Sequence, residues 1–169
     1  MLSGQIKRHG HPGANGISMS ASRFHIILVE DAEPDVLLVR EALEQSGLEF
    51  ELKVFDDGEQ GVAFVDTMDR DASLVRPHLF LLDLNLPKKT GGQILERVRQ
   101  SPRCRQIPVV ILTSSDSQRD KAQAADLNAT GYFRKPSRLD EFMKLGPYVR
   151  DLLTRQGQTE VEGGALAGR

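Results

Sequence analysis

Four apolar runs in this chain each end on residues able to do chemistry. "FHIILVED" closes on Glu30 and Asp31, "LFLLD" on Asp83, "IPVVILT" on Thr113 and "GYFRK" on Lys135. An ionised carboxylate at the end of a buried strand is costly unless something there uses its charge. Acids that converge from neighbouring strands repel one another, so such a site needs a cation or raised pKa values. Hard oxygen ligands completed by water suit Mg²⁺, which takes few protein carboxylates and prefers to share a phosphate. Lys135 adds a fixed positive charge, and Thr113 a hydroxyl that can donate to an oxyanion. Carboxylate nucleophile, divalent cation, ammonium and hydroxyl are the parts needed to move a phosphoryl group onto an aspartate.

Each residue also has a plainer reading. Glu30 and Asp31, just before Pro34, could cap a helix and favour its dipole. Thr113 could cap the following helix, although Ser114, Ser115 and Asp116 lie nearer its start. Lys135 could be an exposed lysine at a strand end, and Asp83 the first residue of a turn. Taken together, these readings require four separate strand ends to carry suitable chemistry by coincidence.

Positioning them calls for an alternation of strands and helices. Strands are expected over residues 24–29, 50–55, 78–83, 107–113 and 131–135. Helices are expected between and after them, over residues 33–47, 58–68, 91–101, 117–128 and 138–154, from apolar spacing with Pro34 near the first start, Gly47 as its stop and similar signals elsewhere. Asp69 and Asp71, in the polar stretch "DRDASLVRP", read as solvated loop charges. The alternation implies an α/β fold, a doubly wound five-stranded parallel sheet with helices on both faces. Ligand sites in such sheets lie in the crevice at the carboxyl ends of the strands. Glu30, Asp31, Asp56, Asp57, Asp83, Thr113, Ser114 and Lys135 all leave those ends.

Composition narrows the classes. A chain of 169 residues with a net charge of −2 fits one domain and argues against dedicated nucleic-acid binding. The basic stretch "RVRQSPRCR" has Glu96 nearby and no stacking aromatics, so it reads as a solvated face. A lone Cys104 excludes an internal disulfide and fits a cytoplasmic, reducing setting; it reads as an unreactive thiol. No apolar stretch reaches membrane-span length, so no membrane partner is expected. Residues 1–22 read as a disordered extension, with Met19 a candidate start and His9 and His11 unstructured rather than metal-binding. The domain then covers residues 23–155, and residues 156–169 read as a flexible tail.

"ILVED", "LLDLNLP", "ILTSS" and "GYFRKP" together resemble the receiver domain of two-component response regulators. Thr113 follows Asp83 by 30 residues and Lys135 follows Thr113 by 22, spacings similar to those of that family. The resemblance covers about residues 24–145 and implies the flavodoxin-like strand order 2-1-3-4-5. It implies Asp83 as phosphoacceptor, with Mg²⁺ bound by Asp31, Asp83 and the backbone carbonyl of Asn85, and Glu30 holding the ion's water shell. Lys135 would pair with Asp83 or its phosphate, Thr113 would move to the phosphoryl group, and Tyr132 would change rotamer with it. A cis Lys135–Pro136 bond is implied too, fixing the lysine's direction.

The loop before the third strand, with "DLNLPKKTG" and "KPSRLDEF", resembles a narrower group: stand-alone regulators that partner phytochrome-type sensor histidine kinases. Two features depart from the pattern. Gly146-Pro147 falls inside the expected last helix, where a proline should kink or break it. Ser115 occupies a position that varies among relatives and, with Asn85, would tune the life of the phosphate. Only 15 residues follow that helix, so output is expected through protein–protein contact or phosphorelay, with a homodimer through the last helix region.

The alternative of another class is a hydrolase that forms an aspartyl-phosphate. That chemistry wants a second aspartate two residues after the nucleophile, and Asn85 cannot act as that acid. A flavin or nucleotide binder wants a Gly/Ser/Thr-rich phosphate cradle after the first strand, where Glu30-Asp31 has the wrong charge.

Overall fold

In the computed structural model, residues 23–115 and 117–163 are described. The expectations for residues 1–22, including Met19, His9 and His11, and those for Asp116 and residues 164–169, lie outside these residues. Strands β1 (Phe24–Val29), β2 (Phe50–Phe55), β3 (Leu79–Asp83), β4 (Val109–Thr113) and β5 (Gly131–Arg134) form one parallel sheet in the order β2-β1-β3-β4-β5. Helices α1 (Glu33–Gln45), α2 (Gly58–Arg70), α3 (Gly91–Gln100) and α4 (Gln118–Asp126) connect them. After β5 come a single turn, α5 (Leu139–Phe142), and a long helix, α6 (Leu145–Gly163).

β3 and β4 are buried at every position, which is why their sequences are continuous apolar runs rather than alternations. Successive side chains still point to opposite faces. Ile27, Val29, Phe80, Leu82, Val109 and Ile111 pack with α2 and α3 residues such as Val65 and Ile94. Ile26, Leu28, Leu79, Leu81, Val110 and Leu112 pack with Val39 and Leu43 of α1 and with Phe142, Leu145 and Val149 beyond β5. Fully burying one such side chain contributes about 1.5–3 kcal/mol, so two filled faces hold the strand ends at a fixed height. Asp83 pairs in register with Leu112, and Thr113 with Arg134, which brings Asp83, Thr113 and Lys135 to one level.

The chain after β5 departs from expectation. The single helix over residues 138–154 is two elements, and the interruption lies at Met143–Lys144, upstream of Pro147. Pro147 is the third residue of α6, where a missing N–H costs no intrahelical bond, so the proline is accommodated in a first turn rather than kinking a helix. A Cβ on Gly146 would stand 1.9 Å from the Ala42 carbonyl oxygen, so the glycine permits the close approach of α6 to α1. α6 runs on to Gly163, eight residues past the expected boundary at 155. Among the described residues no helix is long and apolar enough to cross a membrane.

The polar stretches are more engaged than expected. Asp69 lies in the last turn of α2 and accepts bonds from Arg97 Nη2 at 2.7 Å and from Ser101 Oγ at 2.5 Å. Burial works against its charge, but the bonds from Ser101, Arg97 and the Arg103 backbone outweigh it and hold its pKa below the ordinary value. Asp71 caps the C-terminus of α2 and accepts from both the backbone and the hydroxyl of Ser73. The "RVRQSPRCR" stretch is not a purely solvated face. Arg97 binds Asp66 and Asp69, Arg99 donates to the carbonyls of Asn128 and Ile107, and Arg103 to those of Met68, Asp71 and Leu74. Cys104 is fully buried, and that burial raises its thiol pKa, in keeping with an inert role.

Candidate functional site

The crevice above β1 and β3 holds the acids. The Glu30 N–H donates to the Phe55 carbonyl at 2.9 Å, extending the ladder one residue beyond β1 and turning the Glu30 side chain inward. Asp31 is exposed, and Asp83 is buried at the end of β3. Glu30, Asp31 and Asp83 each place a carboxylate oxygen so that all three lie within 4.8 Å of one another. An all-oxygen set of this compactness fits a hard divalent cation.

Lys135 supplies the opposing charge. Its backbone N–H donates to the Thr113 carbonyl at 2.8 Å, continuing the β4–β5 ladder. Its ammonium lies 2.5 Å from Glu30 Oε2, 2.8 Å from Asp35 Oδ2 and 3.0 Å from Asp83 Oδ2. Burial disfavours the ammonium, yet the bonds to Asp35, Glu30 and Asp83 more than offset this and raise its pKa above that of an ordinary lysine. For Glu30 the balance goes the other way. Its burial outweighs the bond from Lys135 and leaves the carboxyl pKa raised.

The plainer capping readings do not describe what is seen. The N-cap of α1 is Ala32, with no side-chain cap bond; Glu30 Oε1 instead accepts from the Ala32 N–H at 3.2 Å. α4 is capped by Ser117. Thr113 is fully buried and its hydroxyl accepts from the Ser115 N–H at 3.0 Å, so the structure places it beside the acid cluster's level but engaged with its own loop. Ser115 donates its hydroxyl to Asp120 at 2.8 Å, and its carbonyl accepts from the Tyr132 hydroxyl at 3.2 Å. Tyr132 is half-buried, with the Lys121 ammonium 5.9 Å from its ring centre.

The loop after Asp83 is shaped closely around it. The Asn85 N–H donates to Asp83 Oδ1 at 3.0 Å, orienting the carboxylate. The Gly91 N–H donates to the Leu84 carbonyl, and a Cβ on Gly91 would stand 2.1 Å from the Asp83 carbonyl oxygen. The same loop is pinned to the start of α2. Gly58 N–H donates to the Pro87 carbonyl, and Lys88 Nζ lies 2.5 Å from Asp57 Oδ2. Asp57 is also the N-cap of α2, accepting from the Gln60 N–H. The Lys88 ammonium, and then the Gln60 N–H, lower its pKa to about 2.

Two expectations change. No cis peptide occurs among the described residues, so the Lys135–Pro136 bond is trans; the direction of Lys135 is set by its three carboxylates. Asp35 was not foreseen in the site. In the sequence it reads as one more acid of a first helical turn, favourable to the dipole. The one available signal is its place in the first turn of the helix that follows Glu30-Asp31, which keeps it at the same end of the crevice.

Comparisons with known proteins agree with this geometry. The family model described as response regulator receiver domain matches residues 26–145. Response regulator Rcp1 of Synechocystis sp. is 38% identical over 120 residues, covering 71% of this chain and 82% of that protein. The phosphorylated cyanobacterial phytochrome response regulator RcpA superposes with a TM-score of 0.71 at 32% identity, covering 79% of this chain and 95% of that one. The Mn²⁺-bound form of Rcp1 superposes with a TM-score of 0.66 at 38% identity, covering 73% of this chain and 90% of that one. The match leaves the hydrolase alternative without support, in line with Asn85 two residues after Asp83. Its fold, its acid triad and these relatives place the chain in the response regulator receiver domain family.

Proposed function

We propose that Asp83 accepts a phosphoryl group from a sensor histidine kinase and that the domain signals through the change this causes. The observation that carries the reading is the position of the Asp83 carboxylate, which shares a cluster with the Glu30 and Asp31 oxygens, all within 4.8 Å of one another, and lies 3.0 Å from the Lys135 ammonium. Asp31, Asp83 and the Asn85 carbonyl would hold Mg²⁺, with Glu30 on its water shell. Bound there, the ion would neutralise charge on the transferring phosphoryl oxygens.

The chain's own residues do the rest. A carboxylate oxygen of Asp83 attacks phosphorus, the P–N bond to the kinase histidine breaks, and the imidazole leaves with the electron pair. The Asn85 N–H fixes the carboxylate for in-line attack, and Lys135 balances the charge that arrives. Thr113 has its alternative partner in place. On moving to the phosphoryl group its hydroxyl would give up the Ser115 N–H, and Tyr132, bonded to the Ser115 carbonyl, would be freed to turn. That is a two-state element biased by one charge event.

The domain would thus be a signalling phosphoacceptor, catalysing only its own phosphorylation and dephosphorylation, in the cytoplasm. The likeness to Rcp1 and RcpA supports a phytochrome-type kinase as donor, and relay or protein contact as output. A homodimer through the last helix region belongs to the same reading, tested by light scattering with and without a phosphate mimic. Acetyl phosphate with Mg²⁺ should yield an acid-stable, base-labile adduct on the wild-type chain. An Asp83→Asn protein that labels equally well would sink the assignment.

A further inference from the structure

The phosphoryl-transfer reading gives Lys135 one carboxylate to serve, yet its ammonium has three N–H groups and meets three carboxylates. Two of these, Glu30 and Asp83, are also in the acid triad; Asp35 is not. A divalent cation drawn to the triad competes with Lys135 for Glu30 and Asp83, and the two cations repel. Asp35 is the partner left to hold the ammonium in place. Its own position is firm, because it sits in the first turn of α1, where the helix dipole favours a negative charge. Its N–H donates to the Ala32 carbonyl at 3.0 Å.

We propose that Asp35 is a positioning residue for Lys135, anchoring one N–H of the ammonium while another passes from Asp83 to the incoming phosphoryl group. The inference rests on Asp83 being the phosphoacceptor. When Asp83 becomes an acyl phosphate, its ester oxygen loses its charge and becomes a poor acceptor. The N–H that served it must reach a phosphoryl oxygen about one bond further out. An ammonium on a four-carbon stem has many ways to miss that target, and a fixed second partner removes most of them.

The experiment compares acetyl phosphate labelling rates at saturating Mg²⁺ for wild type, Asp35→Asn, Asp35→Glu, Lys135→Ala and the Asp35→Asn/Lys135→Ala double variant. Mg²⁺ affinity is measured on each by calorimetry, and folding is checked by circular dichroism. Asp35 is partly exposed, with a side chain 30% accessible, and Lys135 still faces Glu30 and Asp83 in the Asp35→Asn variant, so the chain should fold. Asp35→Asn should slow labelling about tenfold, the low end of what losing an orienting partner costs. Mg²⁺ affinity should be unchanged, Asp35→Glu should recover part of the rate, and Asp35→Asn should add nothing in the Lys135→Ala background. An unslowed Asp35→Asn, a slowing that persists without Lys135, or a loss of Mg²⁺ affinity that accounts for the slowing would each overturn the inference while leaving the phosphoacceptor reading intact. A wild-type chain that does not label removes both.

Discussion

The hydroxyl of Tyr132 donates a 3.2 Å hydrogen bond to the carbonyl of Ser115, the same residue whose N–H donates to Thr113. One peptide segment therefore lies between the two residues proposed to switch together. Tyr132→Phe removes that bond and keeps the ring. It should lower stability by about 1 kcal/mol in urea unfolding, while the initial rate of labelling by acetyl phosphate stays at the wild-type level. A large fall in rate would mean that the ring acts on the chemistry rather than on its consequence.

Lys135→Ala leaves Glu30, Asp35 and Asp83 facing one another without compensation. Removing one partner of a buried ion pair costs about 3–5 kcal/mol. Because Asp35 is part-exposed, the lower end is expected without divalent cations. Mg²⁺ should restore more stability to this variant than to wild type, since a cation in the triad replaces the lost charge. Urea midpoints with and without the metal measure both effects.

Gly91→Ala would push a methyl group against the Asp83 carbonyl, with only 2.1 Å available. Overpacking of this kind costs about 1–3 kcal/mol. The backbone that must yield carries the proposed phosphoacceptor, so labelling should fall by more than the loss of folded protein explains. A variant that labels at full rate once folded would show that the loop adjusts elsewhere.

Asp57 gives a pH dependence with a definite sign. Its carboxyl titrates at about 2 in the folded chain, through the Lys88 ammonium and the Gln60 N–H, against about 3.9 in an unfolded one. A depressed pKa contributes stability that is fully present above about pH 4 and is lost as pH falls through about 2. Asp57→Asn should flatten the acid limb of the stability profile across that window. An unchanged limb would assign acid unfolding to other carboxylates.

How much of this was legible in the sequence differs by element. The strand ends were, because β1, β3 and β4 are apolar runs that stop abruptly on Glu30, Asp83 and Thr113. Asp35 was not, since an acid in a first helical turn looks the same whether it serves a dipole or an ammonium across the crevice. The helical course of α6 past residue 154 was not legible, because residues 156–163 carry no apolar stripe. The earlier turns of α6, with Val149 and Leu153 buried, nucleate a helix that propagates to Gly163. Pro147 predicted a disturbance, but only the fold shows that the chain restarts its helix just ahead of it.

Lys135 stands 105 residues from Glu30 and 52 from Asp83, and all three meet within hydrogen-bond reach. A chain emerging from the ribosome therefore displays its acids long before it has the ammonium that balances them. Closing so long a separation is late and entropically expensive. On the proposed reading, competence to take a phosphoryl group would certify that the last strand is in place, and a chain truncated before β5 would carry the aspartate without its ammonium.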